Sequence, residues 1–339
     1  FKQKTAYEIM PSLVGSEMCI RDSYSWTTIG SMEDLDAATL DDVKEWFRMY
    51  YGAANAVVAV AGDVSPSVVL EKVKRYFGDI PSGPPLKRHD VWIAERDETR
   101  RQVVQDRVAQ ARIYKVWNVP PLGTRASIHL RLFADVLAAG KSSRLHKRLV
   151  YDEEIATDIS AFVQLRELGS QFRVVATVKP GEQLFDVERG IDEEIRTLLT
   201  EGLTQVELDR AKASYISNFV RRLERVGGFG GKSDLLARGE VYSDRPDHYR
   251  SELMWVEQAS VHELRQAATR WLANGDFTLE VHPFPSYKAS ASDVDRSSGV
   301  PVIGSPPPVR FPSLSRATLS NGLKLSLIHI SEPTRLGMI

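Results

Sequence analysis

Hydrolytic zinc chemistry is the first reaction to look for in a chain with several histidines, and it needs three protein ligands, an open position for water and a nearby base. On a helix, two histidines four residues apart share a face, as in HExxH or its inverse HxxEH. Histidines stand at His89, His129, His146, His248, His262, His282 and His329, and none has another four residues away. The closest decoy is HELRQ at 262–266, where Gln266 occupies the second ligand position and Glu263 already serves as a helix cap. No catalytic residue and no metal ligand is therefore assigned.

Two GKS strings raise the possibility of a phosphate loop, which requires a glycine five residues before the glycine of GKS. Asp135 and Val226 fill those places, so Lys141 and Lys232 read as loop or helix-start residues. No GxSxG elbow is present for serine chemistry. The GGFGGKSD stretch at 227–234 reads as a break between two helices where backbones approach closely. Glu33, Asp34 and Asp36 read as a helix start or a solvated face.

These residues need elements to position them. Thr39 caps an amphipathic helix carrying Val43, Trp46, Phe47 and Tyr50. The small and β-branched run 56–61 reads as a buried strand, and Ser65 with Pro66 opens a helix carrying Val69, Val73, Tyr76 and Phe77. Beyond a Pro/Gly cluster at 81–85, extended stretches at 101–108 and 112–119 precede a helix near 126–138. A GKSSRL string, a helix to Val150, strands near 155–164 and 171–178 and two long helices follow.

Thr204 with Glu207 and Ser260 with Glu263 form capping boxes, and 277–281 is a closing strand. Helix, aromatic, Ala-Asn loop and apolar strand occur at 42–62 and again at 263–282, an offset of about 220 residues that suggests two homologous domains. Residues 286–312 read as a linker. Residues 317–324 read as a strand with an Asn-Gly turn.

The two ends do not belong to this pattern. Written as ATG TGT ATA AGA GAC, the codons of Met18, Cys19, Ile20, Arg21 and Asp22 give a reverse complement that, shifted by one base, encodes Ser326, Leu327, Ile328 and His329. Residues 1–23 and 325–339 are therefore expected to be translated sequencing adapter, leaving 24–324 as natural protein. The single cysteine, Cys19, falls in the first of these, which excludes a cysteine nucleophile and disulfides from the remainder. With 44 basic and 45 acidic residues, the net charge of -1 gives no reason to expect nucleic acid as a partner. No apolar run reaches the length of a membrane span.

Taken together, three stretches are recognisable. TTIGSMEDLDAATLDDVKEWFRMYYGAANAVVAVAGDV at 27–64 resembles the end of the catalytic domain of pitrilysin/insulinase-family metallopeptidases. AAGKSSRLHKRLVYDEEIATDISAF at 138–162 resembles the second, non-catalytic domain, and ATLSNGLKL at 317–325 is similar to the strand opening each half of the family. The resemblance implies an α+β fold: two homologous domains of antiparallel sheet with helices packed on one face, the first truncated at its N-terminus. It places the end of the catalytic domain at 24–86, a connector at 87–100, the second domain at 101–283, a linker at 284–312 and the first strand of a following half at 313–324.

The family's zinc motif lies upstream of the matching stretch, so the resemblance implies zinc in the intact parent and none bound by this piece. It implies a peptide substrate enclosed with a second half of the same polypeptide, and a bacterial periplasmic location. Gly140, Lys141, Ser142, Ser143 and Arg144 are the candidates for residues facing the substrate chamber. The alternative is a non-catalytic structural or peptide-binding member of the same fold.

Overall fold

Apolar residues occupy both faces of the run Ile113, Tyr114, Lys115, Val116 and Trp117, which suits a strand covered on two sides. The computed structural model describes Tyr24 and residues 30–86, 88–285, 314–322 and 324–328. Its main sheet has five strands: β1 (Arg100–Asp106), β2 (Arg112–Val119), β3 (Ala156–Gln164), β4 (Ser170–Val178) and β5 (Phe277–Pro283). Their order is β1-β5-β2-β4-β3, with β2 central. The β2–β4, β2–β5 and β3–β4 ladders are antiparallel, as expected of the fold.

One ladder departs from that expectation, because β1 runs parallel to β5, with Arg100 opposite Phe277 and Asp106 opposite Pro283. The cause is topological. A short connection reverses the chain between β1 and β2, and β5 inserts between these two arms antiparallel to β2, which leaves it parallel to β1. Gly275, just before β5, permits the approach: a Cβ there would lie 2.0 Å from the Glu98 carbonyl carbon, so only glycine fits.

The helices that follow are α4 (Arg125–Ala138), α5 (Leu184–Thr200), α6 (Gln205–Leu223), α7 (Lys232–Ser243), α8 (His248–Gln258) and α9 (Val261–Leu272). They follow α1 (Met32–Ala37), α2 (Leu40–Tyr50) and α3 (Pro66–Phe77). Both capping boxes form: Thr204 accepts from the Glu207 N–H and Ser260 from the Glu263 N–H, while each glutamate accepts from the cap's backbone. Thr124 caps α4 through the Ser127 N–H.

The larger core unites Ile113 and Trp117 of β2 with Phe172 and Val174 of β4, Phe133 and Leu137 of α4, and Ile191 and Leu198 of α5. Each such fully buried side chain is worth about 1.5–3 kcal/mol over exposure. The intervening residues of β2, Tyr114 and Val116, join Phe277, Leu279 and Val281 in a smaller cluster on the opposite face. Alternation along β2 thus separates the two cores.

Several sequence expectations are corrected. Residues 56–61 form no strand and stand largely exposed. A strand needs a ladder partner, and among the described residues none pairs with this segment. Helices α1, α2 and α3 form where expected, but none contributes a buried residue. Trp46 is accordingly 58% exposed and Phe47 52%. Ser65 makes no capping hydrogen bond to α3, and Pro66 alone marks its start. Helix α8 is an addition to the sequence reading, and the helix after GKSSRL contains a π-helical segment, His146–Asp152.

The described residues through Pro285 belong to one compact unit and those from Leu314 onward to a second. In the second, β6 (Leu314–Thr318) pairs antiparallel with β7 (Lys324–Ile328). Gly322 between them takes φ +84. The expected linker at 286–312 and the first expected adapter stretch, 1–23, lie outside the described residues.

Candidate functional site

Helix α4 ends because Gly140 adopts φ +77, a left-handed conformation that glycine takes without penalty. Its carbonyl then accepts from both the N–H and the hydroxyl of Ser143, the latter at 2.6 Å. Ser143 is buried as a result, while Lys141 and Ser142 project from the turn.

Arg144 turns inward. Its Nε and Nη2 donate to Oε1 and Oε2 of Glu207 at 2.7 and 3.0 Å, and Nη2 also donates to the Gly202 carbonyl at 3.4 Å. Glu207 is the third residue of α6, and its Oε2 also accepts from the Thr204 N–H at 2.7 Å. The Arg144 fork is the main reason the Glu207 carboxyl is lowered to about 2, with the Thr204 bonds adding and partial burial opposing. The five candidates thus divide into an exposed apex and an anchored base. Below them Arg148 holds Glu153 and Glu194 at 2.7 and 3.2 Å, fixing the π-helical segment to α5.

The histidines remain dispersed. His129 is buried in α4 with no partner at Nε2, and burial lowers its pKa. His282 meets Glu280 at 2.9 Å, and His262 is exposed on α9. Among the described residues no three His, Cys, Asp or Glu side chains converge as a metal site would require. The described residues therefore do not fit a catalytic zinc. Gly231 and Lys232 of the second GKS string open α7, with Gly231 as its N-cap.

Two arrangements were not legible from motifs. In the first, the Lys115 ammonium meets Asp192 at 2.9 Å, Asp276 at 3.0 Å and Glu188 at 3.3 Å. Burial works against the charge on Lys115, but Asp276 and Asp192 outweigh it and hold its pKa above the usual lysine range. Arg101 extends the network to Glu188, at 2.6 Å, and to Glu280. A lone lysine inside the most apolar strand was the only sequence signal for it. The second is a trough beside α6, where Arg131 of α4 lies over the Tyr215 ring, 4.8 Å from its centroid.

A family model described as the peptidase M16 inactive domain matches residues 37–215, more than half of the chain. The chain belongs to the peptidase M16 family. This is the pitrilysin/insulinase relationship read from the motifs, and the match begins within the segment expected to end the catalytic domain.

Among relatives, the zinc protease PqqE of Helicobacter pylori is 29% identical over 223 residues, covering 64% of this chain and 50% of that protein. An uncharacterized zinc protease of Streptomyces coelicolor is 23% identical over 263 residues, covering 73% of this chain and 53% of the relative. The chain spans about half the length of the curated relatives it matches. The crystal structure of a protease from H. pylori superposes with a TM-score of 0.68 at 25% identity, covering 77% of this chain and 63% of that one. An M16 inactive domain from Pseudomonas fluorescens superposes at 0.70 and 15% identity, covering 83% and 66%, and shares the fold.

Proposed function

We propose that this chain is a portion of an M16 zinc metalloendopeptidase in which it shapes the chamber that encloses a peptide, without supplying the zinc ligands. The observation that carries this reading is the inactive-domain match over 37–215, supported by relatives that are named zinc proteases. On this reading residues 24–86 are the end of a catalytic domain, 101–283 the second domain, and 313–324 the opening of a further half. The bare apolar faces of α2 and α3 are then the faces that the rest of the catalytic domain covers.

The loop of Gly140, Lys141, Ser142 and Ser143 is the part of the second domain offered to the peptide, with Arg144 holding it in place. Zinc belongs to the intact parent, where it would activate water for amide hydrolysis. This chain, purified with zinc, is expected to show no chelator-sensitive peptidase activity and no stoichiometric metal. A tightly held zinc per chain overturns the reading. In the intact parent, Lys141→Ala with Ser142→Ala is expected to alter KM for a peptide, and unchanged kinetics remove the loop from the chamber.

A further inference from the structure

Arg221 and Arg222 end α6, Arg225 follows, and two clefts open beside them. One, of about 210 Å³, is walled by Phe219, Arg238 and Tyr249 among others; its neighbour, of about 650 Å³, by Asp135, Tyr215 and Arg225. Arg131 and Arg222 line both, which makes them one trough. Aromatic rings support its walls: Tyr215 beneath Arg131, and Phe219 stacked on Tyr249 at 5.9 Å between centroids.

Arg101, Arg144, Arg148 and Arg270 are each committed to carboxylates. Trough arginines are not. The side chains of Arg222, Arg225 and Arg238 make no hydrogen bond and no ion pair among the described residues. Three carboxylates share the trough. Asp234 accepts from the Gly230 N–H at 3.0 Å, Glu252 stands 3.5 Å from the Tyr215 hydroxyl, and Asp135 is half-buried in the wall. With Arg131 and Arg221, five guanidinium groups face these three, a local excess of positive charge on a chain of net charge -1.

We propose that this trough binds an acidic peptide segment. A guanidinium offers a planar fork that a carboxylate accepts in two parallel hydrogen bonds, and the free forks of Arg222, Arg225 and Arg238 lie along one trough. The aromatic walls suit the apolar residues between acidic ones, and the excess charge rejects lysine-rich sequences. Phe229, 96% exposed and adjacent to the wall residue Gly230, adds a further ring at the rim. The inference rests on the proposed function only in taking the ligand to be a peptide, and it requires neither zinc nor cleavage.

Fluorescence anisotropy of the full chain with labelled extended peptides tests it. A glutamate-rich peptide is expected to bind about tenfold more tightly than its glutamine counterpart, and Arg222→Gln with Arg225→Gln to remove most of that difference. Lys147→Gln, on the exposed side of the π-helical segment, is the control and is expected to leave binding unchanged. Far-UV circular dichroism of the double variant verifies its fold, and the single variants Arg222→Gln and Arg225→Gln replace it if that fold is lost. Equal binding of the glutamate and glutamine peptides overturns the proposal. So does full affinity in the arginine variants, or tighter binding of a single-stranded oligonucleotide than of the acidic peptide. The peptidase assay on this chain has an independent outcome, so either idea can fail without the other.

Discussion

Arg144 and Glu207 are joined by a two-pronged ion pair, at 2.7 and 3.0 Å, that ties the end of the glycine turn after α4 to the first turn of α6. Both side chains are mostly buried, 21% and 16% exposed, so solvent screens the pair only in part. Arg144→Ala is expected to cost about 2–3 kcal/mol, because it strands a carboxylate that also serves the helix cap. Arg144→Lys keeps the charge but loses the fork, and is expected to recover only part of that loss. Urea unfolding of the two variants measures both, and equal stability of Arg144→Ala and the parent chain would refute the brace.

The same pair sets a pH dependence. Glu207 titrates near the ordinary 4.5 when unfolded and at about 2 when folded, with Arg144 as the main cause. The unfolded chain binds the proton first as pH falls, so this contribution to stability is complete above about pH 4.5 and drains away toward pH 2. Glu207→Gln is expected to flatten that part of the profile of unfolding free energy against pH. An unaltered slope between pH 4.5 and 2 would show that Glu207 is not the group responsible.

Lys115 offers a sharper test of buried charge. Its ammonium neutralises Glu188 and Asp276, both almost inaccessible, and one Asp276 oxygen already lacks a hydrogen-bond partner. Lys115→Met is expected to lower stability by about 3–5 kcal/mol, since Asp276 and Asp192 lose their counterion and Glu188 is left with Arg101 alone. Adding Glu188→Gln and Asp276→Asn should restore part of this, because neutral amides are less costly to bury than unpaired charges. Denaturant midpoints for the single and triple variants decide it, and a loss below about 1 kcal/mol in the single variant would mean that the network is idle.

Local signals carried much of the fold. Thr204 with Glu207 and Ser260 with Glu263 could be read as helix starts because the chemistry of a capping box lies within four residues, and both boxes form. The segment 56–61 shows the limit of such reading. Its composition is that of a strand, but strand formation depends on a partner elsewhere in the chain. The insertion of β5 beside β1 is equally non-local, as its register joins Arg100 to Phe277.

The site divides in the same way. Gly140 was singled out through the family resemblance of the GKSSRL stretch, and its left-handed φ of +77 fits the turn found there. The inward course of Arg144 depends on Glu207, 63 residues away, and no spacing rule connects them. Lys115 was not singled out in the sequence, because its three carboxylates come from two distant segments.

The parallel pairing of β1 with β5 has a mechanical result. Tension applied at Arg100 and Pro283 pulls the two strands past each other along their length, which loads all seven residue pairs at once instead of parting them one by one. The domain is thereby fastened by a shear clamp made from its own first and last strands.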